Sequence, residues 1–275
     1  MEPVVLAGSP WFYALLVIIG FLVGTYGTLV GIGGGVILLP VLLLLYPDIS
    51  PEVLTGISMS VVMLNAASGT IAYVRQRRID YRNGVLFALA TVPGTIIGVW
   101  LVRYLKIDTF SLMFGILLLL VAAFVWLRPQ KEPPACEGNT ACIITDRYGE
   151  KFVYSVNRLL GTAFSFIVGF IAGLLGIGGG VIHVPLLVYL LRFPVHIATA
   201  TSHFILVFTT LTGVIAHFVL KTEIRDWLVV VFLALGIVPG AQLGATLARR
   251  FHGNLIVRLL SLALVLLGLR LLILH

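Results

Sequence analysis

Apolar residues run in eight blocks, at about 10–46, 52–74, 84–102, 108–127, 156–191, 195–220, 227–248 and 254–274. The blocks lack the apolar–polar alternation of half-buried strands and are too long for buried ones, so they predict helices. Most are close to the ~20 residues that span a bilayer. The first and fifth are too long: about 35 residues of helix would reach ~52 Å, against a hydrocarbon core of ~30 Å. Each of these two holds a cluster of glycines, Gly31-Ile32-Gly33-Gly34-Gly35 and Gly176-Ile177-Gly178-Gly179-Gly180. Glycine loses the most backbone freedom on ordering, so such clusters interrupt a helix. Length favours a re-entrant hairpin at each break, because a single crossing would leave half the run without a role.

The second cluster follows the first by 145 positions, and the repeat extends well beyond it. Gly24 matches Gly169, and Pro40 matches Pro185. Thr55-Gly56-Ile57-Ser58 matches Thr199-Ala200-Thr201-Ser202, and Ser68-Gly69 matches Thr212-Gly213. Val92-Pro93-Gly94 with Gly98 matches Val238-Pro239-Gly240 with Gly244. The chain therefore divides into two homologous repeats, 1–128 and 156–275, joined by a polar linker over 129–155. A hairpin in each repeat gives each an odd number of crossings, which makes the repeats inverted. The predicted fold class is an all-α polytopic membrane protein of two inverted repeats, each opening with a glycine-broken segment. Repeats flanking a midplane site are a common plan of secondary transporters.

Composition removes the soluble alternatives. Hydrophobic residues make up 60% of the 275, charged residues 11%, and the mean hydropathy is +1.11. Soluble domains carry roughly 25% charged residues. The net charge of +7 is then no signal for nucleic acid, since Lys and Arg mark the cytoplasmic side of a membrane protein. With hairpins at both breaks the Lys and Arg divide 13 to 5 in favour of the side holding Arg75–Arg82 and the linker. With single crossings they divide 12 to 6, which does not separate the two topologies. Either way the expected location is the cytoplasmic membrane of the cell. The first block lacks the basic n-region of a signal peptide, and its pattern recurs at the fifth. Cys136 and Cys142 form a lone C-x₅-C with no nearby histidine to complete a zinc site, and are expected to be free thiols. No metal and no cofactor is expected.

The candidate chemistry lies at the breaks. A helix restarting after a break presents free N–H groups and a partial positive charge, which suits an anion. The predicted anion donors are the N–H groups of Gly33, Gly34 and Gly35 and of Gly178, Gly179 and Gly180. Ser58 and Asn65 are seven apart on one helix face, and Ser202 and Thr209 repeat that spacing. Ser58, Asn65, Thr201, Ser202 and His203 complete the predicted site, with Thr55, Ser60 and Thr209 close by. Ser58 and Ser202 could instead bond a carbonyl one turn back. No Lys, Arg, Asp or Glu sits deep in any block, and a dipole-based site needs none. Gly20/Gly24, Gly169/Gly173, Gly94/Gly98 and Gly240/Gly244 read as helix-packing pairs. Of the intramembrane histidines, His183 stands where the first repeat has Leu38. His203 adjoins Thr201-Ser202 and is the first choice for carrying a coupling proton. Neither break ends in the Gly-Lys-Ser/Thr of a nucleotide loop.

The doubled Gly-Ile-Gly-Gly-Gly with its following proline, Ala200-Thr201-Ser202, and the two Val-Pro-Gly segments resemble the TauE/SafE family of sulfite exporters and 4-toluene sulfonate uptake permeases. The resemblance covers both repeats; Thr55-Gly56-Ile57-Ser58 is its poorest match. It implies a carrier for sulfite or small sulfonates such as sulfoacetate, driven by an ion gradient. The partners expected on that basis are a small anion, H⁺ or Na⁺, and the lipid bilayer, with a homodimer allowed. A passive anion channel is the nearest alternative. A membrane-embedded enzyme or assembly factor is further off, because no His-x-x-x-His or Cys/His cluster lies in the apolar blocks.

Overall fold

The computed structural model describes residues 10–46, 49–127, 141–223, 227–251 and 253–273. The first block forms α1 (Pro10–Val30) and α2 (Gly35–Leu45), divided at the first glycine cluster. Next come α3 (Pro51–Gln76), α4 (Tyr81–Val102) and α5 (Ile107–Leu127). The fifth block forms α6 (Arg158–Leu175) and α7 (Gly180–Pro185), the latter running on into a π-helical turn at Leu186–Leu190. The chain ends with α8 (Val195–Val219), α9 (Trp227–Ala248) and α10 (Gly253–Ile273). Among the described residues, seven helices are long and apolar enough to cross a membrane. Their outward faces carry apolar stripes, such as Trp11, Leu15, Ile18 and Leu22 on α1, as lipid contact requires. The protein is an all-α polytopic membrane protein.

The helices pair across the repeats. α1 lies on α9, where Gly20 and Gly24 face Leu233 and Ile237, and Gly236, Gly240 and Gly244 face Val17, Phe21 and Thr25. The equivalent pair, α4 on α6, brings Gly94 and Gly98 against Phe166 and Phe170, and Gly169 and Gly173 against Thr91 and Thr95. In both pairs the neighbouring atoms are mostly backbone, so any side chain would hold the helices apart. The packing pairs expected from sequence have that role here.

At each break the chain turns back on its own helix. The N–H groups of Gly31, Ile32 and Gly33 all donate to the Gly27 carbonyl, at 3.0, 2.8 and 3.1 Å. Gly31, Gly33 and Gly34 have φ of +88°, +75° and +81°, and Gly176, Gly178 and Gly179 have +67°, +77° and +93°. Left-handed backbone of this kind strains any residue with a Cβ. A Cβ on Gly34 would lie 2.8 Å from Val23 Cγ1, two turns back along α1. The start of the first broken run packs on the start of α9, and the start of α3 that follows the run reaches the turn between α8 and α9. Tyr13 packs on Phe232 with ring centroids 4.4 Å apart, and Thr222 donates to Glu52 at 2.7 Å. Both ends of the second reach the start of α4. There Arg158 Nε donates to Asn83 Oδ1 at 3.1 Å, and the Phe193 ring lies 4.7 Å from that of Tyr154, which in turn bonds Asp80. Glu52 also pairs with Arg103 at the far end of α4, at 3.2 Å. The two broken runs thus open at opposite ends of α4.

The polar linker departs from the all-helical expectation. Residues 128–140, with Cys136, lie outside the described residues. Beyond them β1 (Ala141–Thr145) and β2 (Lys151–Ser155) pair antiparallel, with Ile143 opposite Val153. Phe152 and Tyr154 point inward while Lys151 and Val153 are exposed, the period-two alternation of a half-buried strand. Asp146 closes the turn by accepting the N–H groups of Tyr148 and Glu150 at 2.8 and 3.0 Å. The hairpin is docked on the α3–α4 corner. Arg78 Nη2 and Nε reach Asp146 Oδ2 at 2.7 and 3.1 Å, and the Arg147 N–H donates to the Gln76 carbonyl at 3.0 Å. Tyr154 donates to Asp80 Oδ2 at 2.7 Å; burial, and then the Asp80 carboxylate beside it, push the Tyr154 hydroxyl far above its ordinary value.

Candidate functional site

The two glycine breaks meet face to face at the centre of the molecule. A Cβ on Gly35 would lie 2.8 Å from the Ile177 carbonyl oxygen, and one on Gly180 would lie 2.8 Å from the Gly31 carbonyl oxygen. The serines cross between repeats. Ser58 Oγ donates to the Gly176 carbonyl at 2.8 Å, and Ser202 Oγ donates to the Gly31 carbonyl at 3.2 Å. Neither serine bonds a carbonyl one turn back; each closes a contact with the other repeat's break. Thr55 packs on Gly176 and Thr199 on Gly31, so each break is held by the helix that follows the other one.

Hydrogen bonding within α2 starts at Ile37 and Leu38, both on the Gly34 carbonyl at 3.0 and 2.9 Å. In α7 it starts at Ile182 and His183, both on the Gly179 carbonyl at 3.1 and 2.9 Å. The first-turn N–H groups of Gly35 and Val36, and of Gly180 and Val181, therefore have no intrahelical acceptor. All four residues are buried. The Gly33 N–H, expected among the anion donors, bonds Gly27 instead. The Cβ directions of Gly34 and Gly179 point at Val23 and at Val168 and Ala172 of the preceding helices, not at the opposing break.

Asn65 and His203 converge on a residue that sequence reasoning did not select. Thr28 Oγ1 donates to Asn65 Oδ1 at 3.2 Å and lies 3.3 Å from His203 Nε2. Tyr73 donates to the Thr28 carbonyl at 2.8 Å, and its ring meets that of His203 edge-on at 5.5 Å. Extending the Ser58–Asn65 helix face by two more turns would have found Tyr73. Asn65 Nδ2 is fully buried and without a hydrogen-bond partner, while His203 also reaches the Thr199 backbone one turn back. Orphaned buried polar atoms are costly and mark a place for water, an ion or a ligand. Thr201 is occupied differently: its hydroxyl accepts the Asp80 N–H at 3.0 Å and ties α8 to the α4 corner under the hairpin. Thr209 bonds Thr91 at 2.9 Å, and Ser60 bonds the Gly56 carbonyl one turn back at 2.8 Å. His183 lies 3.3 Å from Ser165, on the α6 side of the second break.

The turn between α2 and α3 opens into a pocket of about 420 Å³. Tyr46, Glu52, Ile57, Arg103, Lys221 and Thr222 are among its walls.

Comparison with known proteins places these features in a family. The profile of the sulfite exporter TauE/SafE family matches residues 16–271. The probable membrane transporter protein YunE of Bacillus subtilis is 34% identical over 268 residues, covering 93% of this chain and 96% of that protein. The probable membrane transporter protein MJ0441 of Methanocaldococcus jannaschii is 28% identical over 217 residues, covering 76% and 73%. A probable membrane transporter of Xylella fastidiosa is 27% identical over 239 residues, covering 86% and 84%. No solved structure matches.

Proposed function

The chain belongs to the sulfite exporter TauE/SafE family, and from that premise we propose a secondary active transporter of sulfite or small sulfonates, with the anion bound between the two glycine breaks. The observation that supports the site is the set of first-turn N–H groups of Gly35, Val36, Gly180 and Val181, buried and without intrahelical acceptors at two helix starts whose breaks lie against each other. Asn65 Nδ2 adds an unpaired polar atom, tied through Thr28 to the first break. An oxyanion satisfies such donors without a buried cation. The repeats work as an inverted pair. That reading is supported by the two broken runs opening at opposite ends of α4 and by the crossed Ser58 and Ser202 bonds. Exchange of these crossed contacts gives alternating access to the two sides of the cell membrane.

Purified protein tests the substrate class. Sulfite, sulfoacetate and 4-toluene sulfonate are each titrated against thermal unfolding, with chloride as control. At least one should raise the apparent Tm, because a ligand at 100 times its Kd adds about 2.7 kcal/mol to the folded state. Stabilisation by none of the three removes the proposed substrate class. Uptake into proteoliposomes with and without an imposed ion gradient separates a carrier from a passive channel.

Orientation is tested in cells. The hairpin and the Arg75–Arg82 turn hold many of the Lys and Arg and should face the cytoplasm. Single cysteines at Arg82 and Lys151, in a chain lacking Cys136 and Cys142, should resist an impermeant thiol reagent until the cells are opened. Labelling of both sites in intact cells would reverse the orientation.

A further inference from the structure

A chain of hydrogen-bonded side chains runs from the pocket beside Arg103 to the second glycine break. Arg103 Nε lies 3.2 Å from Glu52 Oε1, and Thr222 Oγ1 lies 2.7 Å from the same oxygen. Thr222 Oγ1 is 3.1 Å from His217 Nδ1, and His217 Nε2 is 3.4 Å from Thr55 Oγ1. Thr55 donates to the Glu52 carbonyl at 2.9 Å, and its Cβ would lie 2.6 Å from a Cβ on Gly176. Glu52 and Thr222 line the pocket, whereas His217 and Thr55 are buried.

The donor inventory sets which proton arrangements this chain of groups allows. Each threonine hydroxyl has one proton to give. With Glu52 ionised, Thr222 gives its proton to Glu52, and Thr55 gives its own to the Glu52 carbonyl. In the arrangement in which both hydroxyls accept from the imidazole, His217 donates from both nitrogens and holds the pair's proton as a positive charge. The same atoms allow a second arrangement with the same number of protons. His217 passes its Nδ1 proton to Thr222 Oγ1, and Thr222 passes its own to Glu52 Oε1. The N–H bond of the imidazolium and the O–H bond of threonine break; a new threonine O–H and a carboxylic O–H form. The result is a neutral imidazole, a neutral carboxylic acid and an unchanged threonine.

We propose that Glu52 and His217 share one exchangeable proton through Thr222, and that this pair couples proton movement at the pocket to the anion at the second glycine break. The inference rests on the transporter reading above. Placed on His217, the proton is a positive charge one threonine away from Gly176, where it favours an anion. Placed on Glu52, it lies at the pocket wall and can leave to water. Among the described residues, the charged groups facing this pair are Arg103 at the end of α4 and Lys221 and Glu223 in the turn after α8; Arg103 acts on both members. The second repeat does not carry the same pair of residues at the equivalent positions. By the repeat offset of 144, His196 stands where the other repeat has Glu52, and Tyr73 where it has His217. Two inverted halves with a proton pair in one of them give the coupling a direction. Among its neighbours Thr28, Tyr73, Gly69 and the Thr199 backbone, His203 has no carboxylate.

Two measurements test this. Infrared difference spectra across a pH titration of detergent-purified protein should contain a carboxylic acid band that E52Q removes and that shifts its midpoint in H217Q and in T222V. That measurement needs no substrate. A Glu52 band indifferent to both neighbours overturns the proposal, even if transport is found. In proteoliposomes, labelled sulfite or sulfoacetate is followed in two modes. Net uptake driven by an imposed pH gradient should fall roughly 100-fold in E52Q and H217Q, as for loss of one proton-transfer group. Exchange of anion for anion at equal pH should persist. Gradient-driven uptake intact in E52Q, or exchange lost together with it in both variants, overturns the proposal. Absence of all transport in the wild-type protein instead sinks the transporter reading, and the infrared result still decides the shared proton.

Discussion

Gly35→Leu and Gly180→Leu should each abolish transport, because each drives a side chain into the backbone of the opposing break. The Cβ alone would stand 2.8 Å from the Ile177 carbonyl oxygen in the first case and 2.8 Å from the Gly31 carbonyl oxygen in the second. Neither glycine has a positive φ, so backbone strain is absent and the effect isolates the contact between the breaks. Overpacking of a tight interior costs about 1–3 kcal/mol, and a leucine here has backbone rather than a flexible side chain against it. Alanine at the same positions should already lower the apparent Tm and remove sulfonate-dependent stabilisation. Gly34→Leu and Gly179→Leu should fail for a different reason. They combine a left-handed backbone, with a penalty of roughly 1–2 kcal/mol, with pressure on Val23 or on Val168 and Ala172. Misassembly is the expected outcome there, whatever binds at the centre. Gly149 in the hairpin turn is the control. Its φ is +87° and nothing lies within 4 Å of an added Cβ, so Gly149→Ala should carry the backbone penalty alone and leave transport unchanged. Normal transport by both Gly35→Ala and Gly180→Ala would show that the close approach of the breaks is dispensable. Ser58→Ala and Ser202→Ala each remove one crossed hydrogen bond and orphan a buried carbonyl, which should lower stability by about 1–3 kcal/mol.

Arg78→Ala should release the β-hairpin from the α3–α4 corner. The Asp146 side chain is inaccessible and that of Arg78 is 5% exposed, so removing the arginine leaves a buried carboxylate without its cation. Breaking such a pair from one side costs about 3–5 kcal/mol. Arg78→Met with Asp146→Leu removes both charges and should recover much of the loss. The pH dependence follows from Asp146. Burial pushes its carboxyl upward, but the Arg78 hydrogen bonds and the N–H groups of Glu150 and Tyr148 outweigh that and hold it below the ordinary 3.8. A group with a lowered native value adds stability that is complete above the unfolded value. That stability fades as the pH drops below 3.8 toward the native one. Protection of the amides at residues 141–155, taken against their intrinsic exchange at each pH, should therefore be high at neutral pH, fall in acid in the wild type, and be low at every pH in Arg78→Ala. Equal protection in wild type and variant at neutral pH would show that Phe152 and Tyr154 hold the hairpin without the ion pair. Tyr154 also reaches Asp80, whose N–H is bound by Thr201 of α8, so hairpin release should also loosen the α4–α8 contact.

The sequence by itself determined the class of protein, the eight apolar blocks, the two breaks and the repeat. These are local or periodic properties: block length against bilayer thickness, glycine against helix, and one motif met twice. The glycine pairs of α1, α4, α6 and α9 were legible as packing surfaces for the same reason, since small residues four apart always form a groove. Only the tertiary structure decided which helices fill those grooves. It pairs α1 with α9 and α4 with α6, across more than 200 residues in the first case, and no local property encodes a partner at that distance. The strands of the linker were missed because two five-residue strands carry little signal beside blocks of twenty; Tyr154 and Phe152 become a buried face only once Asp80 and Phe193 are brought beneath them. The site divides the same way. Ser58, Asn65 and Ser202 could be chosen by spacing, and His203 by its place beside Thr201-Ser202. That the serines cross to the opposite break, that Thr28 gathers Asn65 and His203, and that Thr201 turns to Asp80 all depend on where other elements stand. A hydroxyl bonds whichever carbonyl arrives within 3 Å or so, and that choice belongs to the fold.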